Sequence, residues 1–184
     1  PGVDLLRPEG LGRTRAAAPL AADAPDAAGQ SFNVANGRTT SLLELIDTLA
    51  HWLKTLTGMP AVAMSPAAGA HGELCGMLAI RAALDAKGQQ HRKRVLVPEA
   101  AHGTNPATAA AIGFVVDSFP QTEQGRVDVA AFKAKLGDDV AAIMLTNPNT
   151  CGLFEGDIVE IAKLIHDAGG YFYCDGANYN ALIG

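Results

Sequence analysis

From residue 41 onward the apolar positions fall into two alternating rhythms. Ser41-Leu-Leu-Glu44 has the spacing of a capping box, and Leu42, Leu45, Ile46, Leu49, Leu53 and Leu56 follow at helical intervals until Gly58. The short apolar stretch Ala61–Ser65 predicts a strand. A helix follows from the turn at Gly69 through Leu74, Met77, Leu78 and Ala82 to Gly88, and Arg94–Val97 predicts the next strand. Asn105 reads as a helix cap with Pro106 at the first helical position, Gly113 as the stop, and Phe114–Phe119 as a strand. A helix from Asp128, a buried strand Val140–Leu145, a helix from Asp157 to Gly169 and a strand Tyr171–Cys174 complete the series. Strands made of continuous apolar runs, alternating with helices, predict an α/β fold with a mostly parallel sheet covered on both faces. Ligands of such sheets sit beyond the carboxyl ends of the strands.

Residues 1–40 break this rhythm. Of these forty positions, 18 are Ala, Gly or Pro and one is aromatic, so the stretch is expected to be a poorly ordered arm preceding a domain over residues 41–184. The acids Asp4, Glu9, Asp23 and Asp26 argue against an organellar targeting segment there. A net charge of −5 with no concentrated basic surface argues against a nucleic-acid partner. Three cysteines without a C-x-x-C pair argue against a disulfide framework or a zinc ribbon and for a reducing compartment. The absence of a long uncharged apolar run or a secretory leader predicts a soluble, intracellular protein with no membrane partner.

The carboxyl-end rule selects four segments, each following a predicted strand. Pro66-Ala-Ala-Gly-Ala-His-Gly-Glu73 is a small-residue turn entering a helix, where backbone amides and the helix dipole would meet an anion; an ordinary strand-to-helix turn has the same composition. His71 and Cys75 in it have metal-ligand spacing, but no second pair accompanies them, and no metal is expected. In Glu99-Ala-Ala-His-Gly-Thr-Asn-Pro106, His102 is placed to lie flat over a planar ligand, or to be a solvated loop histidine. Thr146-Asn-Pro-Asn-Thr-Cys-Gly152 follows the most apolar strand. In Asp175-Gly-Ala-Asn178 the acid ends a buried strand, where it needs a cation such as a protonated pyridine, or else serves as the acid of the turn at Gly176.

Taken together and in order, these segments resemble the large domain of pyridoxal-phosphate enzymes of the aspartate-aminotransferase fold, fold type I. Pro66-Ala-Ala-Gly-Ala-x-Gly-Glu73, Ala101-His-Gly-Thr-Asn-Pro-Ala107, Leu145-Thr-Asn-Pro-Asn-Thr150 and Asp175-Gly-Ala-Asn178 are similar, more narrowly, to the glycine decarboxylase family of the glycine cleavage system, in its bacterial two-subunit form. The resemblance covers about residues 42–184. It implies an oxidoreductase of glycine catabolism that is bound to pyridoxal 5'-phosphate (PLP). Such an enzyme decarboxylates glycine in the bacterial cytoplasm and passes the aminomethyl group to a lipoyl-carrier protein, with a first decarboxylase subunit as partner. Residue by residue, it implies that Gly69, Ala70 and the amide of His71 cradle the cofactor phosphate. His102 and Ala177 then flank the pyridine ring, Asp175 pairs with its nitrogen, Asn147 lies near the phenolic oxygen, and Thr104 is a further contact. His102 and Asp175 would be the catalytic pair.

Two departures accompany the resemblance. His71 stands where the family usually carries Gln. The lysine that links the cofactor belongs, in the family, downstream of Asp-Gly-Ala-Asn, and none of Lys54, Lys87, Lys93, Lys133, Lys135 and Lys163 has its His-Lys-Thr setting. The chain is therefore expected to be a fragment that is inactive alone. A non-catalytic relative of the same fold, or another PLP-dependent decarboxylase or desulfurase, are the competing readings.

Overall fold

The computed structural model describes residues 41–179. The expected arm over residues 1–40 lies outside them. The chain divides into two units, residues 1–64 and 65–184.

In the first unit, helix α1 (Leu42–Thr57) begins as its sequence dictates. The Ser41 side chain accepts a hydrogen bond from the Glu44 amide, and Gly58 ends the helix in the left-handed region at φ 70°, its amide bonded to the Lys54 carbonyl. No residue of α1 is buried. The strand expected at Ala61–Ser65 does not form. Pro60 and Pro66 bracket that stretch, each lacking an amide donor, and no described strand pairs with it.

The second unit alternates helix and strand as the periodicity predicts. It contains α2 (Gly69–Ala86), β1 (Arg94–Pro98), α3 (Thr104–Ala111), β2 (Val115–Phe119), α4 (Val129–Ala134), β3 (Val140–Thr146), α5 (Ile158–Asp167) and β4 (Tyr171–Asp175). The four strands are all parallel, in the order β2-β1-β3-β4. The chain winds outward from β1 to β2, crosses back, and winds the other way from β3 to β4. The order therefore reverses between β1 and β3, which opens a crevice at their carboxyl ends.

Side-chain alternation divides the core between the two faces. Val95, Val97, Ala142 and Met144 turn toward Met77, Ile80 and Leu84 of α2 and Ala109 of α3. Leu96, Ile143 and Leu145 turn the other way, toward Phe132 of α4 and Ile161 and Ile165 of α5. Phe119 and Phe132 meet with ring centroids 5.6 Å apart, tilted by 48°. Every residue of β3 is buried, as a central parallel strand requires.

An ion network fastens the amino end of the sheet. Arg94 forks onto Asp139, Nε to Oδ2 at 2.9 Å and Nη2 to Oδ1 at 2.7 Å, while its Nη1 reaches Asp117 Oδ2 at 2.9 Å. Lys135 bonds the other oxygen of Asp117. These partners, Lys135 first and then Arg94, hold the Asp117 carboxyl below its ordinary range, against the opposing effect of desolvation. A depressed acid stabilises the fold above its unfolded pKa, near 3.9, and that contribution is lost as pH falls through the folded value. Asp117→Asn should cost roughly 1 kcal/mol at neutral pH and flatten the acid limb of stability against pH. Urea unfolding from pH 7 down to pH about 3 measures this; an unchanged acid limb would remove Asp117 from the account.

Candidate functional site

The crevice between β1 and β3 holds a cavity of about 550 Å³. Gly69, Ala70 and Glu73 line it from the start of α2, His102 and Thr104 from the loop after β1 and the first residue of α3, Thr146 and Thr150 from the end of β3 and beyond, and Tyr173, Asp175, Gly176, Ala177 and Asn178 from β4 and its following turn. All four segments selected from the sequence contribute to this lining.

The first of them arrives as an uncapped helix. Ala68, at the N-cap of α2, offers no side-chain acceptor, so the first-turn amides of Gly69, Ala70 and His71 keep their donors for another partner. A Cβ on Gly69 would meet nothing within 4 Å, so the backbone there fronts open space. The His71 side chain is exposed and is not part of the lining.

Four residues along, Glu73 is 7% exposed, and Asp175 at the tip of β4 is 9% exposed. Thr104 Oγ1 donates to Glu73 Oε1 at 2.7 Å, and Thr108 Oγ1 to Oε2 at 3.1 Å. The Asp175 carboxylate accepts from the Ala177 amide at 3.0 Å and from Thr146 Oγ1 at 3.4 Å. Between the two acids sits Asn105, fully buried. With its amide turned so that the nitrogen faces them, Nδ2 lies 3.3 Å from Glu73 Oε1 and 3.2 Å from Asp175 Oδ2; the opposite orientation would set oxygen against oxygen.

Asn105 is thus not the helix cap expected from its type. The helix begins one residue earlier, at Thr104. Asn105 is instead a first-turn residue whose side chain is drawn inward by two carboxylates, a stronger attraction than the neighbouring backbone amides offer. Pro106 still fits, because a first-turn residue needs no amide donor.

Asn147 stands directly after the last residue of β3. It does not line the cavity. Its Oδ1 accepts from the Glu155 amide at 2.9 Å, while buried Glu155 accepts from the amides of Val127 and Asp157. This ties the loop after β3 to the segment before α4. Asn178 completes the cavity wall, its Nδ2 donating to the carbonyls of Pro148 and Asn149.

Tyr173 projects from β4 against α2, where Gly76 admits its ring: a Cβ on Gly76 would fall 2.6 Å from the ring's Cε2. Burial, then the charges of Asp175 and Glu73, push the Tyr173 phenol up to about 12, so it is a neutral hydroxyl at physiological pH. Among the described residues no lysine or arginine lines the cavity. Among the described residues no group of three His, Cys, Asp or Glu side chains is placed to hold a metal ion, His71 and Cys75 included. No described helix is long and apolar enough to cross a membrane.

Glu73 is the buried cavity residue to which the motif reading gave no role. Its signal was present: positions 73, 77, 80 and 84 share one helix face, and a carboxylate on an otherwise apolar stripe needs donors waiting for it.

A doubly wound parallel sheet with a cavity at its switch point, lined by an uncapped helix N-terminus and two buried carboxylates, is a ligand-binding α/β domain. The family follows from comparison: the aminotransferase class-V model matches residues 72–180, and the chain belongs to that family. Its fold is the large domain of fold type I, and the family implies PLP as the cofactor. The chain is 72% identical over 142 residues to a Caulobacter vibrioides protein named "Probable glycine dehydrogenase (decarboxylating) subunit 2", and 51% identical over 160 residues to a protein of the same name from Thiobacillus denitrificans. These matches cover 77% and 87% of the chain but 27% and 31% of the relatives, so the chain spans less than a third of their length. Among solved structures it is similar to the glycine decarboxylase (P-protein) of the glycine cleavage system, with TM-score 0.55 and 27% identity over 68% of this chain and 27% of that one. A Burkholderia pseudomallei sphingosine-1-phosphate lyase shares the fold, with TM-score 0.59 and 20% identity over 70% of this chain and 32% of that one.

Proposed function

We propose that residues 41–184 are part of the cofactor-binding domain of a glycine-decarboxylating enzyme. In this reading the whole enzyme takes glycine, passes the aminomethyl group to the lipoyl group of a carrier protein, and works with a first decarboxylase subunit in the bacterial cytoplasm. The observation that carries the reading is the polarity of the cavity. Two buried carboxylates bridged by a neutral amide, with no lysine or arginine in the lining among the described residues, favour a ligand that brings its own positive charge. The uncapped helix N-terminus at Gly69 and Ala70 favours a ligand that also brings a negative one. PLP carries both, a protonatable ring nitrogen and a phosphate. The names of the relatives then supply glycine as the substrate.

Bound there, PLP supplies an electron sink for loss of carbon dioxide from an attached amino acid. The chain's own groups would act as follows. The Asp175 carboxylate would hold the proton on the ring nitrogen, while its hydrogen bond from the Ala177 amide keeps the turn fixed. The amides of Gly69, Ala70 and His71 take the phosphate. His102 and Ala177 bound the flat faces of the ring, and the Tyr173 phenol closes the wall as a neutral donor. Thr104 directs its hydroxyl proton to Glu73 and so shapes the site more than it binds the cofactor. Asn147, occupied with Glu155, holds the loop.

With no lysine in the lining, this chain alone should bind PLP weakly, saturably and without a covalent link. Adding PLP, reducing with borohydride and weighing the protein should leave the chain's mass unchanged at PLP concentrations that saturate binding. A stoichiometric adduct on one of the six lysines would contradict the assignment of the cavity. Glycine-dependent carbon dioxide exchange by the full-length protein with its partner subunit and a lipoylated carrier tests the activity; absence of exchange would defeat it.

A further inference from the structure

The loop histidine of the cavity is held by a chain of hydrogen bonds that fixes which of its nitrogens carries the proton. Thr104 Oγ1 lies 2.7 Å from Glu73 Oε1 and also 2.7 Å from His102 Nδ1. The hydroxyl has one proton to give. An ionised carboxylate only accepts, and a hydrogen bond to a charged acceptor outweighs one to a neutral ring nitrogen, so that proton points to Glu73. The Thr104 oxygen then shows a lone pair to His102. At 2.7 Å this contact is favourable only when Nδ1 carries a hydrogen. The Thr104 amide also approaches Nδ1, at 3.3 Å, and would favour a bare nitrogen. That neutral contact is longer by 0.6 Å and weaker than the repulsion between two lone pairs at 2.7 Å.

We propose that Glu73 is a positioning residue: acting through Thr104, it holds neutral His102 in the Nδ1–H tautomer, leaving Nε2 bare as an acceptor at the cavity. Thr108 and Asn105 keep the Glu73 carboxylate in place, one on each oxygen. Asn105 also touches Asp175, so the acid meant for the ring nitrogen and the acid that orders the histidine are anchored by one amide. The consequence for catalysis rests on the reading of the cavity as a PLP site: His102 would face the bound cofactor and substrate as a fixed, uncharged ring that accepts a hydrogen bond. The tautomer itself does not depend on that reading.

The test is long-range imidazole proton–nitrogen NMR on the uniformly nitrogen-15-labelled chain without ligand, at a pH about two units above the ordinary histidine value so that the ring is neutral. The chain has five histidines, and the spectrum lost in His102→Gln assigns the signal. In the native chain Nδ1 should show the protonated-type shift and Nε2 the bare-type shift. In Glu73→Met the hydroxyl loses its carboxylate acceptor and turns to His102 Nδ1, and the Nε2–H form becomes the major one. Thr104→Ser keeps the hydroxyl and should keep the native tautomer; Thr104→Val removes it and should release a mixture of both. A native chain with Nε2–H as the major form overturns the proposal. So does a Glu73→Met or, should that variant not fold, a Thr104→Val spectrum identical to the native one. Because no ligand is present, a chain that passes this test but fails to bind PLP defeats the cofactor reading alone, and the reverse result defeats this inference alone.

Discussion

Asp175→Asn in the complete enzyme should lower glycine-dependent carbon dioxide exchange by roughly 100-fold or more, equivalent to about 2.7 kcal/mol of transition-state stabilisation. The substitution keeps an acceptor for the Ala177 amide, so the turn after β4 survives. The Asn105 amide stays turned toward Glu73, so its contact with position 175 is weakened and stability has to be measured beside exchange. What disappears, in the proposed site, is the negative charge set against the ring nitrogen. That charge matters most when electrons flow into the ring, so turnover should fall much further than glycine binding weakens. If Asp175 serves only the turn, the same variant loses roughly 1 kcal/mol of stability and keeps near-normal exchange in its folded fraction. Exchange rate, KM for glycine and thermal unfolding measured on one preparation separate the two outcomes.

Asn105→Asp should be the most damaging single-atom exchange in the unit. It replaces the one donor shared by Glu73 and Asp175 with a third acid, at a position with no exposure to solvent. Two hydrogen bonds to charged acceptors are lost and like charges are brought together, so a cost of about 3–5 kcal/mol at neutral pH is expected. Asn105→Ala, which removes the donor without adding charge, should cost about 2 kcal/mol. The extra deficit of the Asp variant is largest above the ordinary carboxylate range. It shrinks as pH falls, because the crowded acids take up protons more readily in the folded state. Urea unfolding of both variants at two pH values checks the order and the sign; equal stability of the two would show that the acids do not feel this position.

The sheet and its helices were legible in the sequence because each is written in a single rhythm. Val140–Leu145 is apolar throughout and becomes the fully buried central strand. Ser41 and Gly58 bound α1 by local chemistry that needs no tertiary partner. The Ala61–Ser65 expectation failed for the opposite reason, since a strand exists only by pairing. The cavity residues His102, Ala177 and Asp175 were reachable from position alone, each standing just past or at the end of a strand. Asn105, Asn147 and Glu73 were not. For the two asparagines, residue type and place fit a cap and a ligand contact equally well as a buried tie, and only the identity of the facing groups, Glu73 and Asp175 in one case and Glu155 in the other, decides.

The ion network of Arg94, Asp117, Asp139 and Lys135 gathers near the amino ends of the strands, whereas the cavity opens at their carboxyl ends. Arg94 and Asp139 stand at the amino ends of β1 and β3, whose five and seven residues put the carboxyl ends roughly 17–23 Å away, beyond the range over which substitutions ordinarily interact; Asp117 reaches in from midway along the edge strand β2. Robustness and chemistry therefore occupy opposite rims of one sheet and can drift or be engineered independently. Charges at the amino rim are free to be retuned for heat, salt or acid while the carboxylates that face a ligand stay untouched, and losses incurred at the active rim can be offset from the other side.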